Sequence, residues 1–216
     1  MQNSEETYKI SWSYYVARHK GKVIFFDCGF RDKEVAKQWG IRIRFTGAEK
    51  ELPAILEGGF GAADIVFITH SHPDHIDNLD LFSNPTIIIS EKEYHIALES
   101  SPQPVQDKLL RSRVVKVEDE YIYDDFFRYK VIGGHTLGSS VVYFSNQDKD
   151  YVITGDECYL RDNLFSQRPI GIRVNEGNNE KFLVEGKQKG YIPLPYHDLS
   201  IYDDYEHVSD HIVRIV

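Results

Sequence analysis

The stretch Asp64-Ile65-Val66-Phe67-Ile68-Thr69-His70-Ser71-His72-Pro73-Asp74-His75 constrains this chain more than any other. Its β-branched and aromatic run, Ile65 to Thr69, predicts a strand buried on both faces. The run breaks directly into four potential metal ligands, His70, His72, Asp74 and His75. Neutral imidazoles and carboxylates suit zinc and similar divalent ions, and alternate residues of an extended turn can converge on one point. A helix can begin at Pro73, which would turn Asp74 and His75 away from the first two histidines and toward a second ion. Without a cation, four such groups crowded together would repel one another or be costly to desolvate.

The same placement recurs along the chain. Asp27 follows Val23-Ile24-Phe25-Phe26, His135 follows the run Phe127–Ile132, Asp156 follows Tyr151–Thr154, and His197 follows Tyr191–Leu194. Ligands at the ends of separate strands are how a sheet protein assembles a metal site from distant sequence.

The remaining pattern is mixed. Tyr8 to Arg18 alternates polar and apolar residues and turns at His19-Lys20-Gly21-Lys22, which predicts a hairpin with Val23–Phe26. Helices are expected over Arg31–Trp39, Glu49–Leu56, His75–Phe82 and Asn179–Lys189. Another should run from Ser90 to Leu98, with Glu93 completing a capping box. Thr86–Ile89 reads as a strand, Ser101-Pro102-Gln103-Pro104 as an exposed loop, and Val114–Ile132 as strand-rich. Val141–Phe144 and Tyr151–Thr154 should pair as a hairpin, and Ile212–Val216 is strand-like. With no linker, repeat or low-complexity tract, a single domain over 1–216 is expected.

A net charge of −9 argues against a nucleic-acid partner. No apolar run reaches the length of a membrane span. Cys28 and Cys158 make no disulfide framework, and the N-terminus lacks the features of a signal peptide. The expectation is a cytoplasmic protein with a small-molecule substrate and no membrane partner.

The ordered set His70-x-His72-x-Asp74-His75, His135, Asp156, His197 resembles the metallo-β-lactamase superfamily. So do its flanks, Phe26-Asp27-Cys28-Gly29, Gly134-His135-Thr136-Leu137-Gly138-Ser139, Thr154-Gly155-Asp156 and Pro195-Tyr196-His197-Asp198, and the likeness runs from Trp12 to Asp198. It implies a four-layer α/β/β/α sandwich. It also implies that His70, His72 and His135 hold one ion, that Asp74, His75 and His197 hold another, and that Asp156 bridges the pair. Asp27 would orient ligand histidines. Two zinc ions are the default, with iron or manganese as alternatives, and a hydroxide between them would be the nucleophile. Where the family often has a glycine pair after the motif, this chain has Asp77-Asn78, residues that tolerate unusual backbone angles.

Within the superfamily, Tyr159, three residues after Asp156, is similar to the tyrosine of the quorum-quenching N-acyl homoserine lactonases. That resemblance implies a hydrolase acting on the ester bond of a lactone, with Tyr159 at the substrate carbonyl and Asp74 passing a proton to the leaving oxygen. The chain is shorter than those lactonases before Asp27 and between Gly29 and Asp64, where an acyl pocket is usually shaped, so a neutral ester or a different lactone is equally in view. Alternatives are a glyoxalase II-like thioester hydrolase and a mononuclear iron sulfur dioxygenase. A nuclease is disfavoured by the acidic charge, and a non-enzymatic binding module by the complete ligand set. His95, the i, i+4 pair His207 and His211, and both cysteines have blander readings as surface, tail and small buried residues. The oligomeric state is left open.

Overall fold

The structure is a computed structural model that describes residues 9–31, Glu34, Lys37, Arg44 and 48–216. Its organisation follows from strands that are apolar on both faces. In β2 (Lys22–Phe26), Val23 and Phe25 face one way, Ile24 and Phe26 the other. In β3 (Ile65–Ile68), Val66 and Ile68 oppose Ile65 and Phe67. A strand with two buried faces must be covered twice, once by a second sheet and once by helices.

Two five-stranded sheets meet this need. The first runs β1 (Tyr15–His19), β2, β3, β4 (Thr86–Ser90), β5 (Arg113–Val117). The second runs β10 (Ile192–Leu194), β9 (Lys149–Ile153), β8 (Ser140–Asn146), β7 (Phe127–Val131), β6 (Glu120–Tyr123). Ile24, Phe26, Phe67, Ile88, Phe127, Tyr129, Val142 and Ile153 fill the space between them.

The outer face of the first sheet packs on three helices: α1 (Ala48–Ile55) through Leu52, α3 (Glu91–Ser100) through Ala97, and α4 (Gln103–Arg111) through Val105 and Leu109. The outer face of the second sheet, Val141 and Val152, meets Leu164 of α5 (Arg161–Phe165) and Phe182 and Leu183 of α6 (Glu176–Gln188). Three apolar interfaces separate four layers, the expected α/β/β/α sandwich. Short helices α2 (Pro73–Ile76) and α7 (Ser200–Asp204) and the hairpin β11 (Glu206–Ser209) and β12 (Ile212–Arg214) complete the described elements.

Strand direction places the site. β2, β3 and β4 are mutually parallel, as are β9 and β10. β7 and β9 are each antiparallel to β8, hence parallel to each other. Within each sheet the ends that carry Asp27 and His70, and those that carry His135, Asp156 and His197, thus lie on one side, and the two sets meet at one edge of the sandwich.

Several elements differ from the sequence reading. The Ser101–Pro104 stretch opens helix α4 instead of a loop: a proline is tolerated in a helix's first turn, and Val105 and Leu109 gain burial. The helix expected over His75–Phe82 is one turn of α2 and a separate 3₁₀ turn, Leu79–Leu81. The first strand starts only at Tyr15, because Ser11 and Ser13 donate backbone N–H bonds to His197 and Tyr196 carbonyls. The helix expected over Arg31–Trp39 falls largely outside the described residues. His207 lies in β11, and His211, in the turn before β12, bonds Glu51 of α1, so the tail is pinned rather than merely solvated. Asp77 and Asn78 keep negative φ. They serve by side chain: Asp77 accepts the Arg31 N–H at 3.0 Å, and Asn78 donates to the Cys28 carbonyl at 2.9 Å. Among the described residues no helix is long and apolar enough to cross a membrane.

Candidate metal centre

Strand β3 delivers His70 to the open edge, and the chain continues extended through His72 before Pro73 starts α2. That change of geometry separates the motif into two pairs. His70 and His72 join His135 and Asp156; Asp74 and His75 join His197 and, again, Asp156. In each group one nitrogen or oxygen from every member lies within 4.8 Å of the others. All seven predicted residues are thus brought together, and of them only His72 is half-buried, the rest being buried.

Asp156 stands between the two groups and divides its oxygens. Oδ2 lies 3.4 Å from His135 Nε2 and 3.8 Å from His70 Nε2. Oδ1 lies 3.1 Å from His75 Nε2 and 3.1 Å from His197 Nε2. Asp74 Oδ2 is 3.6 Å from each of those last two nitrogens.

The histidine rings are held from behind. His75 Nδ1 donates to Asp27 Oδ2 at 2.7 Å, His135 Nδ1 to the Ile172 carbonyl at 2.8 Å, and His197 Nδ1 to the Ser11 carbonyl at 2.9 Å. Each bond commits Nδ1–H and turns Nε2 inward, the arrangement that fixes the tautomer of a metal-binding imidazole. His72 presents Nδ1 instead, 3.0 Å from His135 Nε2. Asp27 is itself fixed by the Thr69 N–H and O–H, each at 2.7 Å.

The donor chemistry fits divalent cations. Nε2 of His70 and of His75 are buried without a well-directed hydrogen-bond partner. Burial, reinforced by the nearby His75 charge, holds His70 well below the ordinary histidine range, so it is a neutral imidazole. Burial opposes charge on His75 and His197, but Asp156 and Asp74 outweigh it and raise both. Burial opposes charge on Asp156 as well, yet His197 and His75 hold its carboxyl well below the usual range. Carboxylates that draw positive charge beside unpaired nitrogens are what a metal site needs.

Tyr159 lies beside the cluster. Its ring is 5.8 Å from that of His135 and 5.7 Å from that of His197, centroid to centroid, with its hydroxyl 3.4 Å from His135 Nδ1. Burial, then the charges of Asp156 and Asp74, raise its pKa, so it stays a phenol and a hydrogen-bond donor. Exposed apolar side chains stand nearby in sequence: Leu137 two residues after His135, Leu160 after Tyr159, and Ile172, which is 71 % exposed although its carbonyl binds His135.

Two buried carboxylates escaped the sequence reading. Glu93 does not close a capping box: Ser90 Oγ accepts its N–H, but its own carboxylate turns to Ser71, Thr136 and Gly138. Glu157 sits under the His135 loop. The glycines of Gly133-Gly134-His135-Thr136-Leu137-Gly138 were the available signal, because close approach of a side chain needs them.

The chain belongs to the metallo-beta-lactamase superfamily, whose family model matches residues 7–172. A probable metallo-hydrolase of Methanocaldococcus jannaschii is 32% identical over 114 residues, covering 52% of this chain and 46% of that protein. The chain thus matches about half the length of that relative. Among solved structures, an N-acyl homoserine lactone hydrolase with N-hexanoyl-L-homoserine at its catalytic metal centre has a TM-score of 0.70 at 16% identity, covering 90% of this chain and 84% of that one. A probable metal-dependent hydrolase from Staphylococcus aureus has a TM-score of 0.70 at 16% identity, covering 85% and 73%. At those identities the likeness is one of fold.

Proposed function

We propose that this chain, as one domain over 1–216, holds two divalent metal ions and hydrolyses the ester bond of a neutral lactone or ester. The observation that carries the reading is the division of Asp156: one oxygen faces His70 and His135, the other His75 and His197. In this assignment His70, His72 and His135 hold the first ion and Asp74, His75 and His197 the second, with Asp156 shared.

Two such ions polarise a carbonyl and lower the pKa of bound water to about 7, and zinc is the first choice for this histidine-rich set, with iron or manganese as alternatives. The protein's own groups do the rest. Tyr159 donates its phenolic O–H to the carbonyl oxygen as charge builds there, an interaction stronger in the transition state than in the bound substrate. Asp74, through the carboxylate oxygen not turned to His75 and His197, takes up the proton released by the attacking water and passes it to the departing oxygen as the C–O bond breaks, so that no free alkoxide forms. The exposed apolar side chains Leu137, Leu160 and Ile172 suit an uncharged acyl group.

The overall charge of −9 supports a neutral substrate, since the ions would be the principal positive field in the site. The lactonase fold neighbours favour a lactone among esters. The test is a substrate panel assayed on metal-loaded protein. A neutral lactone or ester should give the highest kcat/KM; a higher value for a glutathione thioester or a phosphodiester would overturn the assignment.

A further inference from the structure

The His135 loop is gripped from two sides by carboxylates that make no ion pair among the described residues. Glu93, from α3, is fully buried. Its Oε2 accepts the N–H of Ser71 at 2.8 Å and the Ser71 hydroxyl at 2.6 Å, between His70 and His72. Its Oε1 accepts the Thr136 hydroxyl at 2.6 Å and the Gly138 N–H at 3.0 Å, just past His135. Glu157, in the 3₁₀ turn after β9, is also fully buried. Its Oε1 accepts the N–H groups of Gly134 at 2.9 Å and His135 at 3.0 Å and the Ser139 hydroxyl at 2.5 Å. Its Oε2 accepts from Asn179 at 2.7 Å.

The connectivity is selective. Glu93 reaches from the first sheet's side to the second, tying the His70–His72 segment to the His135 loop. Glu157 ties the backbone of His135 to the segment of its own neighbour, Asp156. All four members of the first metal group are therefore linked through two side chains that do not belong to it. Of the second group only the shared Asp156, beside Glu157 in the chain, is linked in this way; Asp74, His75 and His197 are hydrogen-bonded to neither glutamate. The loop is built to admit them: a Cβ on Gly134 would meet Glu157 Oε2 at 2.3 Å, and one on Gly138 would meet Ser90 Oγ at 2.2 Å and Glu93 Cγ at 3.0 Å.

Helix formation does not explain these groups. The N-terminus of α3 is already capped by Ser90, and burying a carboxylate is costly unless a specific set of donors awaits it. We infer that Glu93 and Glu157 are positioning residues for the first metal group, setting the separation of His70, His72 and His135. This rests on the two-ion reading above and goes beyond it in making one position, not both, depend on these residues.

The test is chelator competition on the zinc-loaded protein, with metal content measured as chelator is raised, for wild type, Glu93→Gln and Glu157→Gln. The wild type should hold two equivalents. In each variant one equivalent should leave at roughly ten- to a hundred-fold lower chelator, the usual cost of losing a group that orients a ligand, while the other, coupled to it only through Asp156, should shift by less. Adding Glu157→Gln to His72→Ala, which already empties the sensitive position, should not weaken the remaining equivalent beyond what His72→Ala does alone, because Glu157 acts on the position already lost. Two equivalents released on the wild-type profile, or both shifted equally, would overturn the inference while leaving the two-ion reading intact. A wild type that binds only one equivalent would overturn both. Should Glu93→Gln fail to fold, Thr136→Val removes just one of its four donors and should weaken the same equivalent several-fold; no asymmetry there would also overturn it.

Discussion

Asp27 Oδ2 and His75 Nδ1 lie 2.7 Å apart, and the pair joins the end of β2 to the turn after β3. Asp27 adopts a positive φ of 56°, which swings its carboxylate under the neighbouring strand end, where Thr69 gives it two further hydrogen bonds. The aspartate thus aims His75 Nε2 at Asp156 and belongs to the second metal group as Glu157 belongs to the first.

From this, Asp27→Asn should weaken the second metal equivalent by roughly ten- to a hundred-fold. Asparagine keeps one acceptor but offers an amide where Thr69 or His75 must donate. Chelator competition should show the larger loss in the equivalent that Glu157→Gln affects less. Loss of the same equivalent in both variants would contradict the assignment of the two groups.

Tyr159→Phe should lower kcat about ten- to a hundred-fold with metal content and thermal unfolding unchanged. Removing one oxyanion donor typically costs on the order of 10²–10³ in kcat, and a metal sharing that charge softens the effect. Steady-state kinetics on the best lactone or ester is the measurement. Wild-type rates would make Tyr159 a packing residue against His135 and His197.

Gly138→Ala should destabilise the protein by about 1–3 kcal/mol, the usual range for overpacking. Its added methyl would overlap Ser90 Oγ, the group that caps α3. Urea denaturation reads the change directly. Gly171→Ala, with nothing within 4 Å of the new Cβ, is the control and should unfold close to wild type.

Phe67→Ala should cost about 3–5 kcal/mol. The side chain is fully buried between the sheets, its ring stacked 5.3 Å from Phe26 and 6.1 Å from Tyr129. That loss is a large fraction of the roughly 5–15 kcal/mol that stabilises an ordinary domain, so the variant should melt far below wild type. A mild effect in denaturant titration would mean that the inter-sheet layer is not the main core.

What was legible in the sequence is what periodicity and residue type record. Strands buried on both faces show as unbroken runs such as Ile65–Thr69, and ligands at their ends show as charged residues directly after them. The candidate ligands followed from that, whereas the four layers were implied by the resemblance of the ordered ligand set to the metallo-β-lactamase superfamily. What was not legible depends on backbone or on context. The carbonyls of Ile172 and Ser11 that orient His135 and His197 carry no residue-type signal, because every residue has a carbonyl. Pro102 and Pro104 punctuate a loop as readily as they open a helix, and only the burial of Val105 and Leu109 decides. Glu93 fits a capping box by spacing, yet the buried Ser90 N–H it would accept is already given to the Tyr129 hydroxyl, and four donors from the Ser71 and Thr136–Gly138 segments claim its carboxylate.

The most direct test of the account is the metal stoichiometry of purified, metal-replete protein by elemental analysis, for wild type and His72→Ala. The division of Asp156 between two groups predicts close to two divalent ions per chain in the wild type. His72→Ala should lose one outright and hold the other more weakly, since Asp156 is shared. A single tightly held iron in the wild type, with no second equivalent at any metal concentration, would contradict the dinuclear site and favour mononuclear chemistry on this fold.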